Sequence, residues 1–342
     1  MGKTIPVLDV RSPGEYTYAH IPGATSFPLF DDEQRRQIGT TYKQVSREDA
    51  IKIGLDHFGP KLRTFIEQAE QLTKGQSAPR KLLVHCWRGG MRSGAMAWLL
   101  SFYGFDVYLL EGGYKSYRHW VLQQLDLPFQ LNMLGGYTGS GKTEVLQELK
   151  RQGLPVIDLE EIARHKGSAF GSLNRDPQPS QEYFENLQVE ALSAYYELSE
   201  DGTFVQPHPV WIENESRRIG HINLTEHFYH RMQEAPLYVL DIPFEKRLEF
   251  ITRFYGGFDK EKIVNAIIRI QKRLGGLDTK TSINFLLENN IHDCFGILLK
   301  YYDKQYLQSM ERTGRIAVHT IHAESVDPAP NTKDLLTILS TQ

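Results

Sequence analysis

The sequence predicts an α/β protein built from two parallel-sheet units in tandem. Three observations predict it. Apolar runs of strand length recur at 5–10, 82–86 and 107–113, and a second series begins at Leu131. Helical patterns separate these runs, and strand–helix–strand order implies parallel strands covered on both faces. A chain of 342 residues also favours two domains of ordinary size over one. The boundary is expected where Asp126-Leu127-Pro128-Phe129 interrupts the helix YKSYRHWVLQQL, giving domains over 1–125 and 130–342.

In the first domain IPVLDV (5–10) reads as a buried strand ending near Asp9, LLVHC (82–86) as a second and VYLLEGG (107–113) as a third. A helix carrying Met96, Trp98, Leu99 and Leu100 joins the last two. In the second domain LNMLGG runs into a glycine loop, and TEVLQELKRQ continues as a helix. LPVIDL (154–159), TFVQPHPVWIE (203–213), PLYVLDI (236–242) and RIAVHTI (315–321) read as further strands. YFENLQVEALSAYYEL (183–198) reads as a helix, with Tyr183, Phe184, Tyr195 and Tyr196 in its core face. Gly, Ser and Pro make KGSAFGSLNRDPQPS (166–180) a loop.

Forty per cent hydrophobic and 24% charged residues suit a folded domain protein. No run of about 18 apolar residues suggests a membrane span, and the N-terminus has no apolar leader core, so a cytoplasmic protein is expected. Two cysteines, Cys86 and Cys294, make no disulfide framework and no metal-ligand spacing, which fits a reducing compartment. Cys294, in IHDCFGILL, reads as structural. The net charge of −3 is uneven: residues 1–128 carry 16 Lys+Arg against 13 Asp+Glu, and the remainder 23 against 29. Within that remainder, Lys246 to Arg273 holds eight basic and three acidic residues, a local basic face able to bind phosphates.

Cys86 stands at a strand end and is followed by Arg88, Gly89, Gly90 and Arg92, then a helix. Such a turn wraps backbone N–H groups around the sulfur, and the helix N-terminus adds positive potential. Arg88 and Arg92 are expected to add formal charge and hold the thiolate. An isolated cysteine is more often an inert buried residue; glycines and arginines at a strand-to-helix switch turn the balance towards reactivity. VLDVRSPGEYTYAHIPGATSFPL, with Asp9, Arg11, Glu15 and the His20–Ala24 turn, and the closing LLEGGYKSYRHW resemble the rhodanese signature over residues 4–122. Five residues lie between Cys86 and Arg92, one more than in the common single-domain sulfurtransferase loop, which suggests a cradle wide enough for an atom larger than sulfur or a bulkier oxyanion.

GYTGSGKT (136–143) fits G-x-x-x-x-G-K-[ST], follows an apolar strand and opens a helix, the context that confirms a P-loop. Gly136, Gly139, Ser140 and Gly141 form the curl whose amides face phosphate oxygens. Lys142 supplies charge to the terminal phosphate, and Thr143 is a ligand for a possible Mg²⁺. An acid is expected to hold that metal through water: Glu213, ending PVWIE, is preferred over Asp241, ending LYVLD. Asp158 sits where P-loop kinases position a second substrate. Each of these acids equally suits a helix cap or a solvated strand end. The second domain thus resembles the P-loop NTPases and kinases in its α/β order.

CWRGGMRS, LGGYTGSGKTEVL, VIDLEEIARHKGSAFG, QPSQEYFENL and WIENESRRIG together resemble the bacterial tRNA 2-selenouridine synthases over nearly the whole chain. The resemblance implies action on wobble 2-thiouridine in tRNAs for Lys, Glu and Gln. It implies S-geranylation with geranyl diphosphate, then replacement of the S-geranyl group by selenium from selenophosphate. On that reading Gly136, Gly139, Ser140, Gly141, Lys142, Thr143, Glu213 and Arg217 bind diphosphate. Cys86, with Arg88 and Arg92, attacks selenophosphate and carries the selenium as a selanyl-cysteine to C2 of the uracil ring. Arg217 is equally suited to clamping phosphate or to an exposed ion pair. Arg218, Lys246, Arg247, Arg253, Arg269, Lys272 and Arg273 are the tRNA-backbone candidates, against a solvated helical face. No tightly bound cofactor is expected, and a monomer is. Two other readings stand beside this one: a rhodanese sulfurtransferase fused to a nucleotide-dependent kinase for a small molecule, and a nucleotide-sensing regulatory module.

Overall fold

The structure, a computed structural model, describes residues 5–340 except 78, 169, 174 and 314–316. It divides into two compact units. One spans the chain to Gln124 together with Ser180–Glu190, and the other takes Leu125–Pro179 and Ala191 onward. Among the described residues no helix is long and apolar enough to cross a membrane.

In the first unit the order is β1 (Val7–Asp9), α1 (Pro13–Tyr18), β2 (Thr25–Ser26), α2 (Asp32–Gln44), α3 (Arg47–Phe58) and α4 (Leu62–Leu72). Then follow β3 (Lys81–His85), α5 (Met91–Tyr103), β4 (Asp106–Leu109) and α6 (Gly113–Leu125). The sheet order is β2-β1-β3-β4, all parallel. Leu8, Leu82 and Val84 from the strands, with Val10 just after β1, pack on Met96 and Leu100 of α5, all at or near zero exposure. Burying each such side chain stabilises the fold by roughly 1.5–3 kcal/mol before the entropy cost of ordering it. At the end of β1 the guanidinium of Arg11 donates to both oxygens of Asp9 and to the Ala19 carbonyl, and stacks 3.8 Å over the ring of Tyr114. The signature acid and base of the N-terminal run therefore form a buried pair that fixes the turn after β1.

In the second unit β5 (Leu131–Gly136) leads through the P-loop to α7 (Lys142–Arg151), β6 (Val156–Ile157), α8 (Leu159–Ala163) and α9 (Gln181–Leu192). Then come β7 (Glu197–Leu198), β8 (Phe204–Val205), β9 (Val210–Glu213), β10 (Arg218–Ile219), β11 (Ile222–Asn223), α10 (Glu226–Glu234) and β12 (Leu237–Asp241). α11 (Phe244–Tyr255), α12 (Lys260–Leu274), α13 (Gly276–Leu287), α14 (Ile291–Thr313), β13 (Val318–His322) and α15 (Pro328–Ser340) complete it. The main sheet, β13-β12-β5-β9-β6, is wholly parallel with the P-loop strand at its centre. The chain passes from β5 to the edge strand β6, returns to β9 between them, then crosses to β12 and β13 on the other side. Ligands of open parallel sheets bind beyond the strand ends at such a reversal.

Three local expectations change. The run 203–213 is two strands: β8 pairs antiparallel with β7, and β9 joins the main sheet. Pro207 and Pro209 lie between them and supply no ladder donor. The helix expected over 183–198 ends at Leu192, and Glu197–Leu198 is strand. The strand at 107–113 stops at Leu109, because Gly112 and Gly113 adopt positive φ.

α9 belongs largely to the first unit, although the sequence places it within 130–342. Arg118 of α6 pairs with Glu185 and hydrogen-bonds Asn186 at 2.9 Å. The Tyr114 hydroxyl donates to Glu182 at 2.8 Å, and Asn186 Nδ2 donates to the His20 carbonyl at 2.9 Å. Polar side chains of α9 thus find partners on α6 and on the His20 turn, which is why a half-polar helix is stable there.

Candidate active sites

Cys86 follows β3 directly and is 4% exposed. Its Sγ lies 3.2 Å from the Ser93 hydroxyl, and the backbone N–H groups of Arg88, Gly90 and Ser93 point at it. Burial raises the thiol pKa. The Ser93 hydroxyl and the three amides outweigh it, so the net shift is downward and the thiolate is favoured. Gly113 fixes the loop from outside. Its φ is +62°, and a Cβ there would stand 2.4 Å from the Cys86 carbonyl oxygen and 2.5 Å from the Gly89 nitrogen. The first amides of α6 then hold the loop: Tyr114 N–H donates to the Cys86 carbonyl at 2.8 Å and Lys115 N–H to the Trp87 carbonyl at 2.9 Å. Arg92 donates to Glu15 of α1 at 2.7 Å, so its guanidinium is oriented by a carboxylate.

The P-loop borders a cavity of about 370 Å³. Gly136, Gly139, Ser140, Gly141, Lys142 and Thr143 form its phosphate side. Phe250, Ile251, Phe254 and Tyr255 of α11, with Tyr302 and Tyr306 of α14, form an aromatic side. Gly139 is required by packing: a Cβ would meet Ile251 at 2.6 Å, at a φ of +80°. Gly136 N–H donates to the Tyr306 hydroxyl at 2.9 Å. The Arg247 guanidinium donates to the Thr138 carbonyl at 3.1 Å. The loop is therefore held by α11 and α14, and Lys142 Nζ donates to the Gly136 carbonyl at 3.0 Å.

Carboxylates gather on the far side of Lys142. Glu160 and Glu215 line the cavity, and Glu215 hydrogen-bonds Glu160. Burial first, then the neighbouring Glu215 charge, pushes the Glu160 carboxyl up to about 8, against the pull of Lys142 and Lys166. Glu213 has no exposed surface, and burial with the charges of Asp158, Glu160 and Glu215 holds its pKa well above the usual carboxylate range. It accepts from the Leu159 N–H at 3.3 Å through one oxygen, while the buried Oε1 has no hydrogen-bond partner. All three shifts run upward, and a cation joining the carboxyls would oppose them.

A family model described as "tRNA 2-selenouridine synthase AAA domain" matches residues 129–333, and a rhodanese-like domain model matches 1–119. A relative from Shewanella frigidimarina described as a tRNA 2-selenouridine synthase is 32% identical over 340 residues, 90% of this chain and 89% of that protein. One from Bdellovibrio bacteriovorus with the same description is 34% identical over 356 residues, 91% of this chain and 90% of that protein. The chain belongs to the tRNA 2-selenouridine synthase family. A solved N-terminal domain of a putative ATP/GTP binding protein from Clostridium difficile 630 is 42% identical, covering 34% of this chain and 89% of that one at a TM-score of 0.33.

In this member of the tRNA 2-selenouridine synthase family the remaining expected site residues scatter. Arg88 is exposed, and its backbone amide reaches the sulfur. Arg217 is 3.9 Å from Glu226 and does not line the P-loop cavity. Arg218 donates to the Gly220 carbonyl at 2.9 Å in the β10–β11 hairpin. Asp241 pairs with His322 at 2.9 Å, and Asp158 caps α8 through the Glu161 N–H. Arg247 is the clear correction: it is 4% exposed and bonded to Asp303 at 2.8 and 2.9 Å, so it braces the P-loop and is closed to tRNA. Lys246 is exposed beside Glu249, while Arg253, Arg269, Lys272 and Arg273 are exposed on α11 and α12. Cys294 is fully buried, and burial pushes its thiol up to about 12, as a structural cysteine requires.

Sequence reasoning missed Ser93, Glu160, Glu215, Lys166 and the aromatic wall. Ser93 was within reach, because a hydroxyl in the first turn of a helix opening on a cysteine loop faces back along the chain. The wall was not, because its members lie over 100 residues beyond the P-loop.

Proposed function

We propose that the chain replaces sulfur by selenium at C2 of the wobble 2-thiouridine in tRNAs for Lys, Glu and Gln. The observation that carries the reading is the two-sided P-loop cavity, in which a phosphate cradle faces a wall of five aromatic rings and Ile251. An amphiphile with a diphosphate head and a branched apolar tail, geranyl diphosphate, suits both sides at once. The 2-thio sulfur attacks the first carbon of the geranyl group. The carbon–oxygen bond breaks, diphosphate leaves with the electron pair, and the ring nitrogen gives up its proton. Loop amides and Lys142 meet the charge that develops on the diphosphate.

The oxygen donors around Lys142 fit Mg²⁺. The Thr143 hydroxyl, Glu160 and Glu215 line the cavity, whereas Glu213, the acid expected from sequence, does not. Mg²⁺ keeps several waters and takes one or two carboxylates plus substrate phosphates. Bound there, it would neutralise diphosphate charge.

Alkylation turns the sulfur into a group that departs as a neutral thiol, so geranylation precedes exchange. Selenophosphate enters at Cys86, whose amide ring suits an oxyanion. Arg253, Arg269, Lys272 and Arg273, with Lys246, hold the tRNA backbone.

The test is direct. Purified protein is given geranyl diphosphate, selenophosphate and tRNA bearing 2-thiouridine, and the digested nucleosides are read by mass spectrometry. The reading requires 2-selenouridine. Absence of both S-geranyl-2-thiouridine and 2-selenouridine, with nucleotide hydrolysis in their place, favours a sulfurtransferase fused to a kinase.

A further inference from the structure

We propose that Cys86 is a phosphoryl acceptor: its thiolate attacks the phosphorus of selenophosphate and releases the selenium as hydrogen selenide. The inference rests on the selenophosphate step proposed above and names the bond that Cys86 breaks.

Geometry comes first. The amides of Arg88, Gly90 and Ser93 converge on Sγ, and α5 opens immediately beyond the loop. Five residues separate Cys86 from Arg92, whose guanidinium is set by two contacts to Glu15, 2.7 and 3.5 Å. A ring of backbone N–H donors matches the equatorial oxygens of a phosphoryl group under in-line attack. The sulfur at the centre of that ring faces phosphorus. The Ser93 hydroxyl, 3.2 Å from Sγ, supports a thiolate both as nucleophile and as leaving group.

Electron balance comes second. Selenium in selenophosphate is at the selenide level, and phosphorus is fully oxidised. A selanyl-cysteine holds selenium two electrons higher. Forming one from selenophosphate would require an oxidant or the loss of phosphorus as phosphite, so the selanyl-cysteine expected from sequence does not balance.

Attack at phosphorus does. The S–P bond forms, the P–Se bond breaks, and its electron pair leaves with selenium as HSe⁻. Water then cleaves S–P to give inorganic phosphate and the free thiol. Hydrogen selenide adds at C2 of the S-geranyl ring, the C2–S bond breaks, and geranylthiol departs with a proton from water. The selenide proton ends on the ring nitrogen. No oxidant or reductant is consumed.

The experiment uses the full chain, S-geranylated tRNA and selenophosphate labelled with ³²P, quenched through a single turnover. We expect label on the Cys86 peptide before it appears as inorganic phosphate. Ser93→Ala should hold that label at least tenfold longer, because the departing thiolate loses its hydroxyl donor. Hydrogen selenide supplied directly should restore 2-selenouridine formation to Cys86→Ala. The proposal is overturned if wild-type protein makes 2-selenouridine and releases phosphate with no label on Cys86 at any time, or if selenide fails to rescue a folded Cys86→Ala. Should wild-type protein make no 2-selenouridine from S-geranylated tRNA and selenophosphate, it is the selenation reading itself that fails.

Discussion

Arg247 and Asp303 form a bidentate ion pair, 2.8 and 2.9 Å, that ties α11 to α14 beneath the P-loop. The same guanidinium holds the Thr138 carbonyl and stacks 4.8 Å from the ring of Tyr137. Arg247→Ala leaves Asp303 without its partner and should cost about 3 kcal/mol. Urea denaturation measures it. A loss below about 0.5 kcal/mol, with weaker tRNA binding instead, would return Arg247 to the RNA-binding surface.

Gly113 carries the backbone of the cysteine loop. Gly113→Ala brings a methyl group to 2.4 Å from the Cys86 carbonyl at a φ of +62°. We expect a cost of about 1–3 kcal/mol and a slower selenation step. Denaturation and a selenation assay on S-geranylated tRNA read the two effects. Full stability with full rate would show that the loop is not pinned there.

The protonated carboxyl at Glu160 makes stability depend on pH in a definite direction. Its pKa rises from 4.5 to about 8 on folding, so the folded state binds more protons between those values. Stability is therefore greatest at low pH in that window and falls as pH rises towards 8. Glu213 and Glu215, shifted in the same direction, add to the slope. Glu160→Gln should flatten the fall in Tm between pH 5 and 8. A slope of the opposite sign in the wild-type protein contradicts the assignment.

The exposed basic side chains of α11 and α12 should act through phosphate contacts. Replacing Arg269 and Lys272 with Ala should lower the magnitude of the slope of log K against log salt for tRNA by about 2, alike for all tRNAs bound. An unchanged slope measured by filter binding would make this face merely solvated.

Both the cysteine loop and the P-loop were legible in the sequence because each is a local run at a strand-to-helix switch. The lysine, the cysteine and their glycines lie within eight residues of one another in each case. What the sequence hid was set by long-range packing. Arg247 sits in a basic stretch and looks solvated, yet Asp303, 56 residues on, buries it. Helix α9 looks like part of the second unit, but its Glu182, Glu185 and Asn186 find partners on α6 and the His20 turn. The downward shift of the Cys86 thiol comes from Ser93 and backbone amides, where arginine charge was expected, because Arg92 is committed to Glu15.

On the proposed function, diphosphate departs at Lys142 and selenium is released at Cys86, as two separate steps. The most direct test of that separation follows both tRNA products in Lys142→Ala and Cys86→Ala, supplied with geranyl diphosphate, selenophosphate and 2-thiouridine tRNA. Cys86→Ala should accumulate S-geranyl-2-thiouridine without 2-selenouridine, and Lys142→Ala should form neither. Loss of S-geranyl-2-thiouridine in Cys86→Ala, or its normal formation in Lys142→Ala, would contradict it.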